Sequence, residues 1–170
     1  MLKIAIVLIL GFQLLQINAC SKVEVSENIN SKLVGTWVLK NIFLGDAIDT
    51  PCGYATTGVR ELTLVVTEDQ ETKTLKIAGQ SAINVYNGSL SIISSDTANG
   101  ISTIKIGPLG SSKMAGPPAL IECETRLYNF LNEAPELRLG ESGELNIGRF
   151  KKDNTPSRDG GTYLIYEKKP

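Results

Sequence analysis

From Leu33 to the C-terminus the chain is cut into short β-type segments by glycine, proline and Asn/Asp-rich turns, and one stretch alone breaks that rhythm. This alternation constrains the fold more than any other feature. A segment whose apolar residues recur at every second position buries one face of a strand, and it cannot bury one face of a helix. Trp37 and Leu39 alternate with polar neighbours across residues 35–42, until Gly45-Asp46 ends the run. Residues 61–67 are rich in β-branched side chains and stop at Glu68-Asp69, and residues 74–78 alternate up to Gly79. Asn87-Gly88 is a tight-turn signal, since both residues tolerate positive φ; it predicts a hairpin joining residues 83–86 to residues 89–94. Residues 101–106 alternate again after Asn99-Gly100, and strand signals return at 136–139, 144–150 and 162–167. Residues 46–60, with Pro51, Gly53 and Gly58, read as an irregular loop holding Cys52.

The exception follows Pro117-Pro118. Across residues 119–132 the apolar positions are Leu120, Cys123, Leu127, Phe130 and Leu131, a helical spacing, with Pro118 placed where its missing N–H is no loss and Pro135 as the stop. Eight or nine short strands and one helix predict a mainly β, α+β domain. Its form is a small curved antiparallel sheet or barrel, with the helix plugging an end or covering a face.

The first twenty residues carry a different signal. Lys3 precedes a mostly apolar run from Ile4 to Leu15, which is too short for a membrane-spanning helix and suits the apolar region of a secretory signal. The run closes on Ile17-Asn18-Ala19-Cys20, which resembles the bacterial lipobox and predicts lipidation of Cys20. The expected organisation is a lipoprotein signal peptide over 1–19, a lipidated polar tether over 20–31 and one domain over 32–170. The partner so implied is a membrane, reached through the N-terminal lipid. Ser21 after Cys20 is compatible with the outer membrane of a bacterial envelope.

Composition then removes function classes. The chain of 170 residues contains no histidine, so neither a Ser–His–Asp nor a Cys–His arrangement can be built, nor a His-ligated metal site. With 17 basic against 18 acidic residues there is no electrostatic footprint for nucleic acid, and no cofactor is implied. If Cys20 is lipidated, Cys52 and Cys123 remain. An even pair in an exported protein points to a disulfide, although two buried free thiols also satisfy the count.

Residues 79–90, Gly-Gln-Ser-Ala-Ile-Asn-Val-Tyr-Asn-Gly-Ser-Leu, resemble the G-x-S-G-C-N-x-Y-x-G-x-Y element of the META domain (HslJ-like) family. Ser112-Lys113-Met114-Ala115-Gly116 is similar to that family's T-x-M-A-C element, and residues 33–39 look like its first strand. The resemblance implies a small exported or lipid-anchored envelope protein, linked in some members to stress or drug tolerance, with no catalytic residues to carry over. It marks Gly35, Trp37, Gly79, Asn84, Gly88 and Met114 as family or structural positions. Ile83 and Gly116 stand where many members carry cysteines, so the resemblance implies that Cys52–Cys123 is a relocated bridge.

Individual side chains read as structural before functional. Asn84 is expected to hold a hairpin through backbone hydrogen bonds, Met114 to fill the core beneath the helix, and Trp37 to close the barrel. Glu122 and Glu124 are two apart on a helix and make a poor acid–base pair. Three functions then fit. The first is a non-enzymatic envelope module that binds an envelope protein partner or supports maintenance under stress. The second is a carrier of an apolar ligand in a barrel lined by Leu64, Ile77, Ile83, Ile92 and Ile104. The third is an inhibitor of an envelope-attacking hydrolase, such as lysozyme, acting through loop 50–58 or 107–118.

Overall fold

The computed structural model describes residues 29–53, 58–140, 142–151 and 160–170. Cys20 and the signal and tether assigned to residues 1–28 lie outside the described residues. A single helical turn over residues 29–33 leads into β1 (Gly35–Leu44) and β2 (Ala47–Asp49). There follow β3 (Thr63–Glu68), β4 (Leu75–Gln80), β5 (Val85–Asp96), β6 (Ile101–Ile106) and β7 (Gly110–Ser111). Helix α1 (Pro118–Glu133) precedes β8 (Glu136–Leu139), β9 (Glu144–Phe150) and β10 (Gly161–Lys168).

All pairings are antiparallel, in the order β10-β9-β8-β6-β5-β4-β3-β1, and β10 pairs back onto β1 from Trp37↔Lys168 to Leu44↔Thr162. Eight strands therefore close a barrel. The two short ones, β2 beside β1 and β7 beside β5, are extra. The expected barrel-like α+β fold is what the chain adopts. Inward-facing residues alternate along each strand as the sequence pattern requires: Leu64 and Val66 on β3, Leu75 and Ile77 on β4, Leu145 and Ile147 on β9, all nearly fully buried. Together with Leu33, Trp37, Tyr86 and Tyr166 they fill the lumen as one cluster.

The register fixes which structures share each mouth of the barrel. At one mouth lie the 29–33 turn, the start of β1, the β3–β4 turn and the end of β10. Leu33 is fully buried there, and its carbonyl accepts a hydrogen bond from Trp37 Nε1 at 2.8 Å. At the other mouth lie the β1–β2 and β4–β5 turns, the end of β9 and the start of β10. Helix α1 plugs that end, with Cys123, Glu124, Leu127 and Leu131 turned inward. Pro118 is its first helical residue, and Ala134 N–H closes on Leu131 O before Pro135 ends it.

Three expectations fail. Residues 46–60 are not all irregular, because Ala47–Asp49 pair with β1 as β2. Asn87-Gly88 is not a turn, because β5 runs unbroken from Val85 to Asp96 and the chain reverses at residues 81–84. The reversal is set by side-chain bonds to Ser81 and Asn84, which outweigh the local preference of Asn-Gly. Gly88 serves packing instead: a Cβ there would stand 2.8 Å from Leu109 Cδ2. Met114 does not fill the core. It is 52% exposed, because Asn84 draws the backbone around it against the barrel and leaves its side chain outside.

Candidate functional site

The polar residues of the α1 mouth are organised around one carboxylate. Glu124 follows Leu120 by four residues and precedes Leu127 by three, so it lies on the apolar stripe of α1 and points into the protein. Its Oε1 accepts Asn84 Nδ2 at 2.7 Å and its Oε2 accepts Asn84 N at 2.8 Å. Ser81 Oγ bonds Oε2 as well, and Tyr128 OH donates to that Oγ at 3.2 Å. Burial acts to raise the Glu124 pKa, but the bonds from Ser81, Asn84 and Ile83 N–H outweigh it and the net shift is downward. The charge is thus satisfied by donors, without a neighbouring cation among these partners.

Asn84 extends the network outward. Its Oδ1 accepts Met114 N at 2.7 Å and Ser112 Oγ at 2.8 Å, so one amide joins α1, the β4–β5 turn and the 112–114 segment. Asn84 does not brace a hairpin at Asn87-Gly88; it ties the β4–β5 turn to α1 and to the 112–114 segment. Gly79 lets the turn form: a Cβ on it would collide with Thr63 O and lie 2.7 Å from Tyr86 OH. Gly35, at φ +141°, passes beside Lys168, and Trp37 is 2% exposed in the core.

A second pair of ties fastens the segment after β2 to the same helix. The sulfurs of Cys52 and Cys123 are bonded, with Cα atoms 4.7 Å apart. One turn further along α1, Arg126 Nη2 lies 2.8 Å from Asp49 Oδ2, a hydrogen-bonded ion pair that holds the Asp49 carboxyl below its ordinary pKa.

Outside the lumen, α1 and the ends of β9 and β10 border an open groove of about 1040 Å³. Phe150 is buried and Phe130 half-buried along it, and Ile121 is 47% exposed. Exposed charges of both signs stand beside them at Glu122, Glu133 and Arg149. The Arg126 guanidinium sits 5.9 Å from the Phe130 ring centroid, within cation–π range. Among the described residues no group of three or more Cys, Asp or Glu could hold a metal ion.

The structure brings together Gly79, Asn84, Met114, Cys52 and Cys123 at the α1 mouth and leaves Gly35 and Trp37 at the other. Sequence reasoning weighed Glu124 only as half of a poor acid–base pair with Glu122, and missed the roles of Ser81 and Tyr128. The signal for Glu124 was available, since a carboxylate on the buried stripe of an amphipathic helix requires partners.

A model of the META domain matches residues 31–158, well over half of the chain. The chain belongs to the META domain family. A solved NMR structure of a protein from Burkholderia xenovorans shares this META domain's fold, with a TM-score of 0.54, 18% identity, 84% of this chain covered and 87% of that one. No curated protein matches. The META domain is not a known enzymatic family, and it lends the site no catalytic residue. At the positions where the resemblance places a cysteine pair in other members, the Ile83 side chain occupies the space a Cβ on Gly116 would need. The two positions face each other here as well, exchanged for a large and a small residue.

Proposed function

We propose that this META domain is a non-enzymatic binding module of the bacterial envelope, lipid-anchored at Cys20, whose working surface is the outside of the α1 mouth. One observation carries the reading. The lumen is filled by large side chains, while the open volume lies outside it, between α1 and β9–β10. A carrier of apolar ligands needs a cavity of several hundred Å³ inside its walls. Of the residues assigned to such a lumen, Leu64, Ile77 and Ile104 are buried against one another and their neighbours, and Ile83 and Ile92 are only partly buried. An envelope role in stress or drug tolerance then amounts to holding another component in place.

The test is crosslinking of the lipidated protein in its own membrane, followed by affinity capture. A discrete protein adduct that disappears in Ile121→Asp supports the reading. Adducts that persist unchanged in that variant contradict it. A second reading, inhibition of an envelope-attacking hydrolase, is favoured by Met114: a half-exposed thioether on backbone clamped by Asn84 is a rigid probe for a partner's cleft. Titration against lysozymes should then give dose-dependent loss of activity that Met114→Ala weakens, and a flat titration removes the reading.

A further inference from the structure

The two Asn-Gly pairs of the chain, Asn87-Gly88 and Asn99-Gly100, carry the same chemistry into opposite surroundings. In such a pair the glycine nitrogen can close a five-membered ring on the carbonyl carbon of the asparagine side chain, because no Cβ stands in the way. The ring forms only where the backbone can bend and the glycine N–H is free to lose its proton. Asn87-Gly88 meets neither condition. It lies inside β5, with Asn87 paired to Ala78 on one side and to Gly110 on the other, and with Gly88 opposite Ile77. Ser89 O accepts Gly107 N, so the preceding residue, Gly88, turns its own N–H toward β4 and into the ladder. The extended strand also keeps that nitrogen away from the Asn87 side chain.

Asn99-Gly100 meets both. Pairing of β5 with β4 ends at Leu90, so the outer part of the β5–β6 hairpin runs past β4, and its turn at residues 97–100 is exposed throughout. Gly100 has φ +64°, and a Cβ on it would have nothing within 4 Å. Among the described residues its N–H donates no hydrogen bond. Asn99 touches Asp96 through its backbone N–H and through Nδ2, which lies 2.7 Å from Asp96 Oδ2; neither contact engages the side-chain carbonyl carbon. We propose that Asn99 is a modification site, deamidating spontaneously in the folded chain while the sheet keeps Asn87 intact. Gly100 N loses its proton and bonds to Asn99 Cγ. The Cγ–Nδ2 bond breaks, and the amide nitrogen takes up a proton and leaves as ammonia. Water then opens the ring at either carbonyl, giving aspartate or, with the main chain rerouted through Cγ, isoaspartate. The net change is hydrolysis of an amide, with no oxidation or reduction. Its consequence is electrostatic: the donor that met Asp96 is replaced by a second carboxylate, and a hydrogen bond that closes the turn becomes a like-charge contact.

The full chain is incubated in warm neutral buffer, once folded and once in denaturant, and both Asn-Gly sites are followed by peptide mapping with mass spectrometry. In the folded chain Asn99 should convert at least about tenfold faster than Asn87, whose ladder must first open locally. In denaturant the two rates should converge, since each site is then simply an asparagine followed by glycine. The folded-state rate at Asn99 should climb with pH, because Gly100 N must lose its proton, and part of the product should be isoaspartate. Asn99→Gln, which would need a larger ring, should remove the signal and leave the rate at Asn87 unchanged. Comparable conversion of the two sites in the folded chain overturns the proposal. So does an Asn99 that stays intact when folded under conditions where the denatured chain converts. A rate that ignores pH, or aspartate formed without isoaspartate, overturns the ring-closing route.

Discussion

The two mouths of this barrel solve one problem with different chemistry. At the 29–33 end the closure is apolar: Leu33 and Trp37 belong to the core, and a single hydrogen bond from Trp37 Nε1 to Leu33 O orients the ring. At the α1 end the closure is a separate element, held by a buried carboxylate with satisfied donors, a disulfide and an ion pair. Both ends cover the core, since Cys123, Leu127 and Leu131 of α1 belong to the same apolar cluster as Leu33 and Trp37. The second is also fastened by groups that titrate, reduce or exchange partners, and one of them, Arg126, lines the exposed groove. α1 is thus a separate element built onto a barrel whose other end is integral to it.

The largest effect should come from breaking the apolar end. Trp37→Ala removes a fully buried indole and should cost about 3–5 kcal/mol, read as a drop in denaturant midpoint. A loss below about 1 kcal/mol would mean that the ring is not part of the closure. Next comes the covalent latch. Replacing both Cys52 and Cys123 by Ala should cost roughly 2–4 kcal/mol, because the bridge closes a loop over a sequence separation of 71 residues. Wild type under reducing conditions should match the double variant, and insensitivity to reductant would contradict the bridge.

Glu124→Gln is expected to cost about 1–3 kcal/mol, since an amide NH₂ would face donors that now meet a carboxylate oxygen. The pH dependence sharpens this. The folded-state pKa of Glu124 lies below its ordinary value of 4.5, so its contribution is fully present above that pH and is lost as pH falls through the lower folded value. Acid unfolding profiles should show this component in wild type and lack it in Glu124→Gln. The smallest effect belongs to Met114→Ala, within about 0.5 kcal/mol for an exposed side chain. A cost of 2 kcal/mol or more would restore Met114 to the core.

Much of the barrel was legible because strand burial writes period two into the sequence: residues 61–67, 101–106 and 144–150 fall almost on β3, β6 and β9. Helix α1 was equally plain from Leu120, Cys123, Leu127 and Leu131. β2 and β7 were not, since three and two residues carry no period to read. Asn87-Gly88 misled because a local φ preference competes with bonds made across 40 residues, from Asn84 to Glu124. Met114 misled for a related reason: an apolar side chain predicts burial only where the backbone is free to deliver it. The groove is the least legible feature. Its walls come from residues 118–135, 148–151 and 161–162, and no local pattern announces that they meet.

Native-state hydrogen exchange on oxidised wild type and on Glu124→Gln tests most directly whether the two ends are closed independently. Amides of α1 and of residues 81–84 should exchange through a lower-energy opening in the variant, while those of residues 37–39 keep their wild-type protection. An equal fall in protection at both ends would contradict it, because the α1 end would then open only with the whole barrel.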